Sequence, residues 1–108
     1  MPKLILPSVN CQKCKRLVEF RIENKKKYPE WHNAPVPSFG DINSKLLIVG
    51  LAPGLKGANR TGRPFTGDYA GDLLYPTLVK FGWASGTYNR EINKDFSLNE
   101  CRITNTVR

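Results

Sequence analysis

The chain has 108 residues, 17 Lys or Arg against 9 Asp or Glu, and a net charge of +8 at pH 7. That length allows one domain at most, and so large a basic surplus points to a polyanionic partner, nucleic acid first. No apolar run approaches the ~20 residues of a membrane span, and Met1 to Pro7 is too short for a signal-peptide core. No membrane association and a cytoplasmic location are therefore expected.

In chain order, the first feature is Cys11-Gln-Lys-Cys14. In a reducing compartment this spacing favours metal ligation over a disulfide. Two thiolates alone cannot complete a four-ligand site, and a redox pair is the rival reading, although no strand precedes Cys11. Cys14 to Tyr28 lacks Pro and Gly and carries Leu17, Val18, Arg21 and Ile22 at helical spacing, which predicts a helix with one modest apolar stripe. Lys25, Lys26 and Lys27 suit its C-terminus, and Pro29 ends it.

Residues 29–44 hold Pro29, Pro35, Pro37 and Gly40 around Trp31 and Phe39, an extended connector expected to be anchored to the core by its aromatics. Lys45-Leu-Leu-Ile-Val-Gly50 predicts a strand buried on both faces, as in a parallel sheet. Gly50 to Asp68 follows as a loop with five glycines and two prolines. Asp72 to Phe81 predicts a helix with Leu73, Leu74, Leu78 and Val79 facing inward, kinked by Pro76 or starting later because of it. Cys101 is expected to be a buried apolar thiol. Arg102 to Arg108 predicts a second strand.

Helix, strand, Gly-rich loop, helix and strand in that order begin a doubly wound α/β sheet, in which ligands sit at the carboxyl ends of the strands. The Gly50–Asp68 loop lies at that end. It matches neither a Walker A loop nor a G-x-G-x-x-G fingerprint. Its glycines let backbone N–H groups approach a ligand. Asn59, Arg60 and Arg63 add polar and cationic groups, Phe65 an aromatic face and Asp68 a carboxylate. Such a set can stack a base, orient water and hold phosphate. It also suits an ordinary loop in which Phe65 plugs the core and Asp68 caps the next helix.

The string L-I-V-G-L-A-P-G-x-x-G-A-N-R-T-G-R-P-F-T-G-D, Leu47 to Asp68, resembles the first motif of the family 5 (type b) uracil-DNA glycosylases. The related family 4 pattern has Glu where this chain has Leu51. The resemblance extends to P-V-P-S-F-G-D (Pro35 to Asp41), to the paired cysteines and to R-I-T-N-T-V-R (Arg102 to Arg108), and so covers nearly the whole chain.

It implies a three-layer αβα fold with a mostly parallel central sheet, incomplete in this chain. Residues 1–28 would be the cluster-ligand segment and helix, 29–44 the connector, and 45–108 the start of the α/β core. The implied activity is hydrolysis of the N-glycosidic bond of uracil, and of other deaminated bases, in double-stranded DNA. The base is flipped into a pocket at a cost of roughly a few kcal/mol. Phe65 would stack on it, Gly50, Leu51, Ala52 and Asn59 would line the pocket, Asp68 would position water, and Arg60 and Arg63 would meet DNA. Cys11 and Cys14 would supply two of the four ligands of a [4Fe–4S] cluster. The family's second and third motifs, with an Asn that reads uracil and a His, fall after Arg108, so this chain alone is expected to be inactive. A monomer associated with the nucleoid is expected. His32 lies in the connector and is expected to be a loop histidine. A non-catalytic nucleic-acid-binding module and a nucleotide-binding α/β domain are the alternatives. Neither of them needs both Phe65 and Asp68.

Overall fold

The structure, a computed structural model, describes residues 6–89 and 96–108. Its elements are α1 (Lys15–Lys27), β1 (Leu46–Gly50), α2 (Ala58–Thr61), α3 (Tyr69–Lys80), β2 (Ala84–Ser85), β3 (Ser97–Leu98) and β4 (Cys101–Asn105). β1 and β4 pair in parallel with Leu46 opposite Cys101 and Gly50 opposite Asn105. The pairing outlasts the strands: Thr106 N donates to Gly50 O and Val107 N to Leu51 O, both at 2.9 Å. Two parallel strands joined through α3 make the α/β class expected from the sequence, with right-handed crossover logic available to extend it. β2 and β3 form a short antiparallel hairpin, and α2 is a single turn. Periodicity predicts none of these three, because each is shorter than the pattern it would have to show.

Four sequence expectations change. β1 is not buried on both faces: Leu47 and Val49 are 56% and 54% exposed, while Leu46 and Ile48 pack against the core. On the Leu47–Val49 face the connector covers only part: Ser38, Ile42 and Ser44 line an open cavity with Leu47, Arg102 and Thr104. In α3 the inward positions are Gly71, Tyr75 and Leu78, with Leu74 partly buried; Leu73 and Val79 face out. The helix starts at Tyr69 and not at Asp72, because Asp68 caps it, and it runs on through Pro76. The Thr77 hydroxyl donates to the Leu73 carbonyl at 2.6 Å in the turn that proline disturbs. On α1 the covered side is Leu17, Arg21, Asn24 and Tyr28, whereas Ile22 is exposed.

The core is Tyr75, Leu78, Ala84, Phe96, Cys101 and Ile103, so Cys101 is the buried thiol expected, and burial pushes its ionisation up. Tyr75 lies at the centre of an aromatic group, stacked on Tyr88 and edge-on to Phe96. The connector runs along the free side of β4. Phe39 and Ile103 exchange backbone hydrogen bonds at 2.8 and 2.7 Å, and the Phe39 ring joins the core. Trp31 stacks instead on Tyr28, 3.8 Å between centroids and 6° between planes. No described helix is long and apolar enough to cross a membrane.

Candidate active site

β1 delivers the chain to Gly50 at the carboxyl end of the parallel pair, and a cleft of about 240 Å³ opens there. Its floor is backbone and small side chain, from Leu51 to Gly54 with Ala58 and Ala70. Phe65, Asp68 and Asn105 bring an aromatic ring, a carboxylate and an amide to the same cleft. Leu51 itself is 81% exposed, so its contribution to the cleft is chiefly backbone.

Asp68 is held from two sides. Its Oδ1 accepts from Gly71 N at 3.2 Å, which satisfies one of the orphan donors of the first turn of α3. Its Oδ2 lies against Gly57, where a Cβ would stand only 2.5 Å from it, so the loop needs glycine to come this close. Capping the helix and lining the cleft are therefore not alternatives for Asp68. The cap fixes where the carboxylate stands.

Phe65 likewise packs against the core and lines the cleft. Its φ is +56°, a left-handed conformation that costs a bulky residue about 1–3 kcal/mol. The ring passes close over Gly50, whose missing side chain leaves room for it. Gly50 thus shapes the cleft from behind.

Asn105 is absent from the sequence-based set. β4 turns Cys101, Ile103 and Asn105 to the buried side, and the last of these is 7% exposed at the mouth of the cleft. Its Oδ1 lies against Gly50, where a Cβ would stand only 2.4 Å from it. The available signal was a polar residue at the inward position of an apolar alternation, at the strand end where ligands bind.

Asn59, Arg60 and Arg63 do not line the cleft. Asn59 is buried, and its amide donates to Asn33 Oδ1 at 3.0 Å and to Leu55 O at 3.3 Å. It fastens α2 to the connector. Arg63 lays its guanidinium 4.0 Å from the centre of the Phe39 ring, and burial lowers its pKa. Arg60 donates to Lys56 O at 2.9 Å across its own turn. His32 sits in the connector as expected, its Nε2 3.0 Å from Pro35 O.

Cys11 is half-buried and Cys14 exposed, both as free thiols, and Cys14 is the N-cap of α1. Arg21 donates to the Cys11 carbonyl at 3.3 Å, which ties this turn to the helix. Val107 and Arg108 share a small cavity with Leu17 and Arg21, so the chain after β4 comes to the same flank of α1. The donor chemistry of two thiolates at this spacing suits an iron–sulfur cluster. No group of three or more His, Cys, Asp or Glu that could hold a metal gathers among the described residues.

The family model of the uracil DNA glycosylase superfamily matches residues 37–108. A type-5 uracil-DNA glycosylase from Thermus thermophilus is 49% identical over 81 residues, covering 69% of this chain and 36% of that protein. Others so named, from Pyrobaculum aerophilum and Mycobacterium leprae, are 36% identical over 104 residues and 40% over 115. They cover 93% and 100% of this chain, and 46% and 50% of their own lengths. The chain thus spans about half the length of the curated relatives it matches or less. A Gly-rich loop after a parallel strand, an aromatic and a carboxylate in one cleft, and these matches lead to one conclusion: the chain belongs to the uracil DNA glycosylase superfamily.

Proposed function

We propose that this chain supplies one wall of a DNA base-excision site, in which Phe65 stacks on an extruded deaminated base and Asp68 serves the attack of water on the sugar. The observation that carries it is the convergence of Phe65 and Asp68 on a single cleft at the carboxyl end of β1. In the reaction, the bond from C1′ to the base breaks and its electron pair leaves with the base. Water adds to C1′ and gives up a proton. Positive charge grows on the sugar meanwhile, and the Asp68 carboxylate, fixed by its cap to Gly71, faces that charge and orients the water. A ring already in place lowers the cost of receiving a base that has been unstacked. Asn105, nearly buried and lining the cleft, is placed to hydrogen-bond the base or the water.

The small side chains of Ala52, Ala58 and Ala70 leave the cleft broad, which favours acceptance of deaminated purines beside uracil. Double-stranded DNA is the partner that the +8 charge suits, and a basic α1 with Lys25, Lys26 and Lys27 in its last turn offers part of that surface. One cleft receives one base, so a single copy in the nucleoid is the working unit. Asn59 acts as a strut of the cleft and Arg63 as a cap on Phe39, and Arg60 adds its charge to the basic surface that meets phosphate. Cys11 and Cys14 would hold two corners of a [4Fe–4S] cluster, whose role when bound is to tie this segment to the core. Residues 1–108 serve as part of one domain, and they span about half the length of the curated relatives.

The test is an excision assay with a full-length protein carrying these residues, on duplexes with one uracil, hypoxanthine or xanthine. Abasic sites should form, and Phe65→Ala should lower the rate by more than tenfold. Equal rates for Phe65→Ala and the parent would refute the stacking role. Visible broad absorbance lost with Cys11→Ser would support the cluster; a colourless protein carrying zinc would count against it.

A further inference from the structure

The left-handed conformation of Phe65 persists only if its surroundings fix it. Both flanking peptide groups are held. Tyr75, fully buried on α3, donates its hydroxyl to the Pro64 carbonyl, immediately before Phe65. Thr66, 1% exposed, donates to the same carbonyl at 3.3 Å, and its own carbonyl accepts from Thr61 Oγ1 at 3.2 Å. The Phe65 carbonyl rests on Gly71 so closely that any side chain there would overlap it. Tyr88, stacked on Tyr75 with centroids 4.9 Å apart, accepts from Gly67 N at 3.5 Å. Tyr75 itself does not line the cleft.

We propose that Tyr75 is a positioning residue for base binding: its hydroxyl holds Pro64 and so keeps the Phe65 ring against the cleft before a base arrives. The inference rests on the stacking role of Phe65. Two features set Tyr75 apart from an ordinary core aromatic. A phenylalanine would fill the same aromatic group, so packing does not call for the hydroxyl, and its acceptor is the carbonyl next to the strained residue. Burial also raises its ionisation well beyond neutral pH, so it remains a donor. Preorganisation of this kind acts by removing the cost of ordering a side chain during binding.

A full-length protein carrying these residues can be examined by NMR, with the Phe65 backbone coupling and amide order as one readout and titration with free uracil as the other. Tyr75→Phe keeps the ring and removes the donor. The coupling should change, amide order should fall, and the dissociation constant for uracil should rise about three- to tenfold, the cost of ordering one loose side chain. Thr66→Val, which removes the other donor to Pro64 and keeps the volume, should act in the same direction more weakly and serves if Tyr75→Phe does not fold. A lower melting temperature with coupling, order and affinity all unchanged would overturn the proposal, leaving Tyr75 as core filling. Loosening of Phe65 in Tyr75→Phe, in a chain whose parent shows no uracil shifts, would leave the hold on Phe65 standing and refute the stacking role.

Discussion

At the residue scale, Asp68 accepts from Gly71 N with one oxygen and presses the other against Gly57. These two tasks can be separated by substitution. Asn is as good an N-cap as Asp, so Asp68→Asn should leave stability within about 0.5 kcal/mol, while Asp68→Ala should cost about 1 kcal/mol by thermal or denaturant unfolding. If the carboxylate charge serves the reaction, both should lower excision by a full-length protein about 10²- to 10³-fold. Tyr75 gives a prediction in pH. Its folded pKa is raised by burial above the unfolded value near 10. The unfolded chain therefore releases this proton first as pH rises. The contribution is present in full below pH ~10 and is lost as pH climbs toward the folded value, at up to about 1.4 kcal/mol per pH unit. Urea unfolding between pH 8 and 11 should show a steeper loss in the parent than in Tyr75→Phe, where the buried Cys101 thiol still contributes. Phe65 and Asp68 were legible in the sequence because the motif around them is long. Asn105 was not, because the predicted strand Arg102 to Arg108 holds it without saying which face it takes, until the burial pattern shows it pointing inward beside Ile103.

At the element scale, α3 shows what periodicity leaves open. Its apolar residues fit several faces, and the true one follows from the Asp68 cap, which sets the first turn at Tyr69 and brings Gly71, Tyr75 and Leu78 onto the core. Pro76 remains a defect, with no N–H to donate and a ring that crowds the preceding turn. Pro76→Ala should therefore raise stability by about 1–2 kcal/mol, below the full interior cost because the unfolded chain gains freedom. Calorimetry on the isolated chain would measure it. The connector and α2 meet through Asn33 and Asn59, both buried and joined side chain to side chain at 3.0 Å. No sequence pattern marks this pair, since its members lie 26 positions apart and each reads as a turn former. Asn59→Ala strands the Asn33 oxygen in the interior and should cost about 1–3 kcal/mol in denaturant unfolding.

At the scale of the whole molecule, the described residues form a slab 39 × 34 × 22 Å across, with Leu47 and Val49 on one face of its parallel pair more than half exposed. The α/β class and the order of its main elements were legible from alternating patterns. The exposure of Leu47 and Val49 was not, because four apolar residues in a row look the same whether one side is covered or two. Leu47 and Val49 are the exposed apolar residues of that face. A fluorescent dye specific for apolar surface should bind the isolated chain, and Leu47→Thr with Val49→Thr should reduce that signal without loss of stability. The cleft lies at the other feature of the same strands, their carboxyl end, where loop, cap and strand terminus converge. The most direct test of the account is release of uracil from a duplex oligonucleotide by a full-length protein containing these residues, compared with its Asp68→Asn variant. The account predicts abasic sites with the parent and a rate at least 100-fold lower with the variant, at matched stability. Undiminished excision by Asp68→Asn, or none by the folded parent, would contradict it.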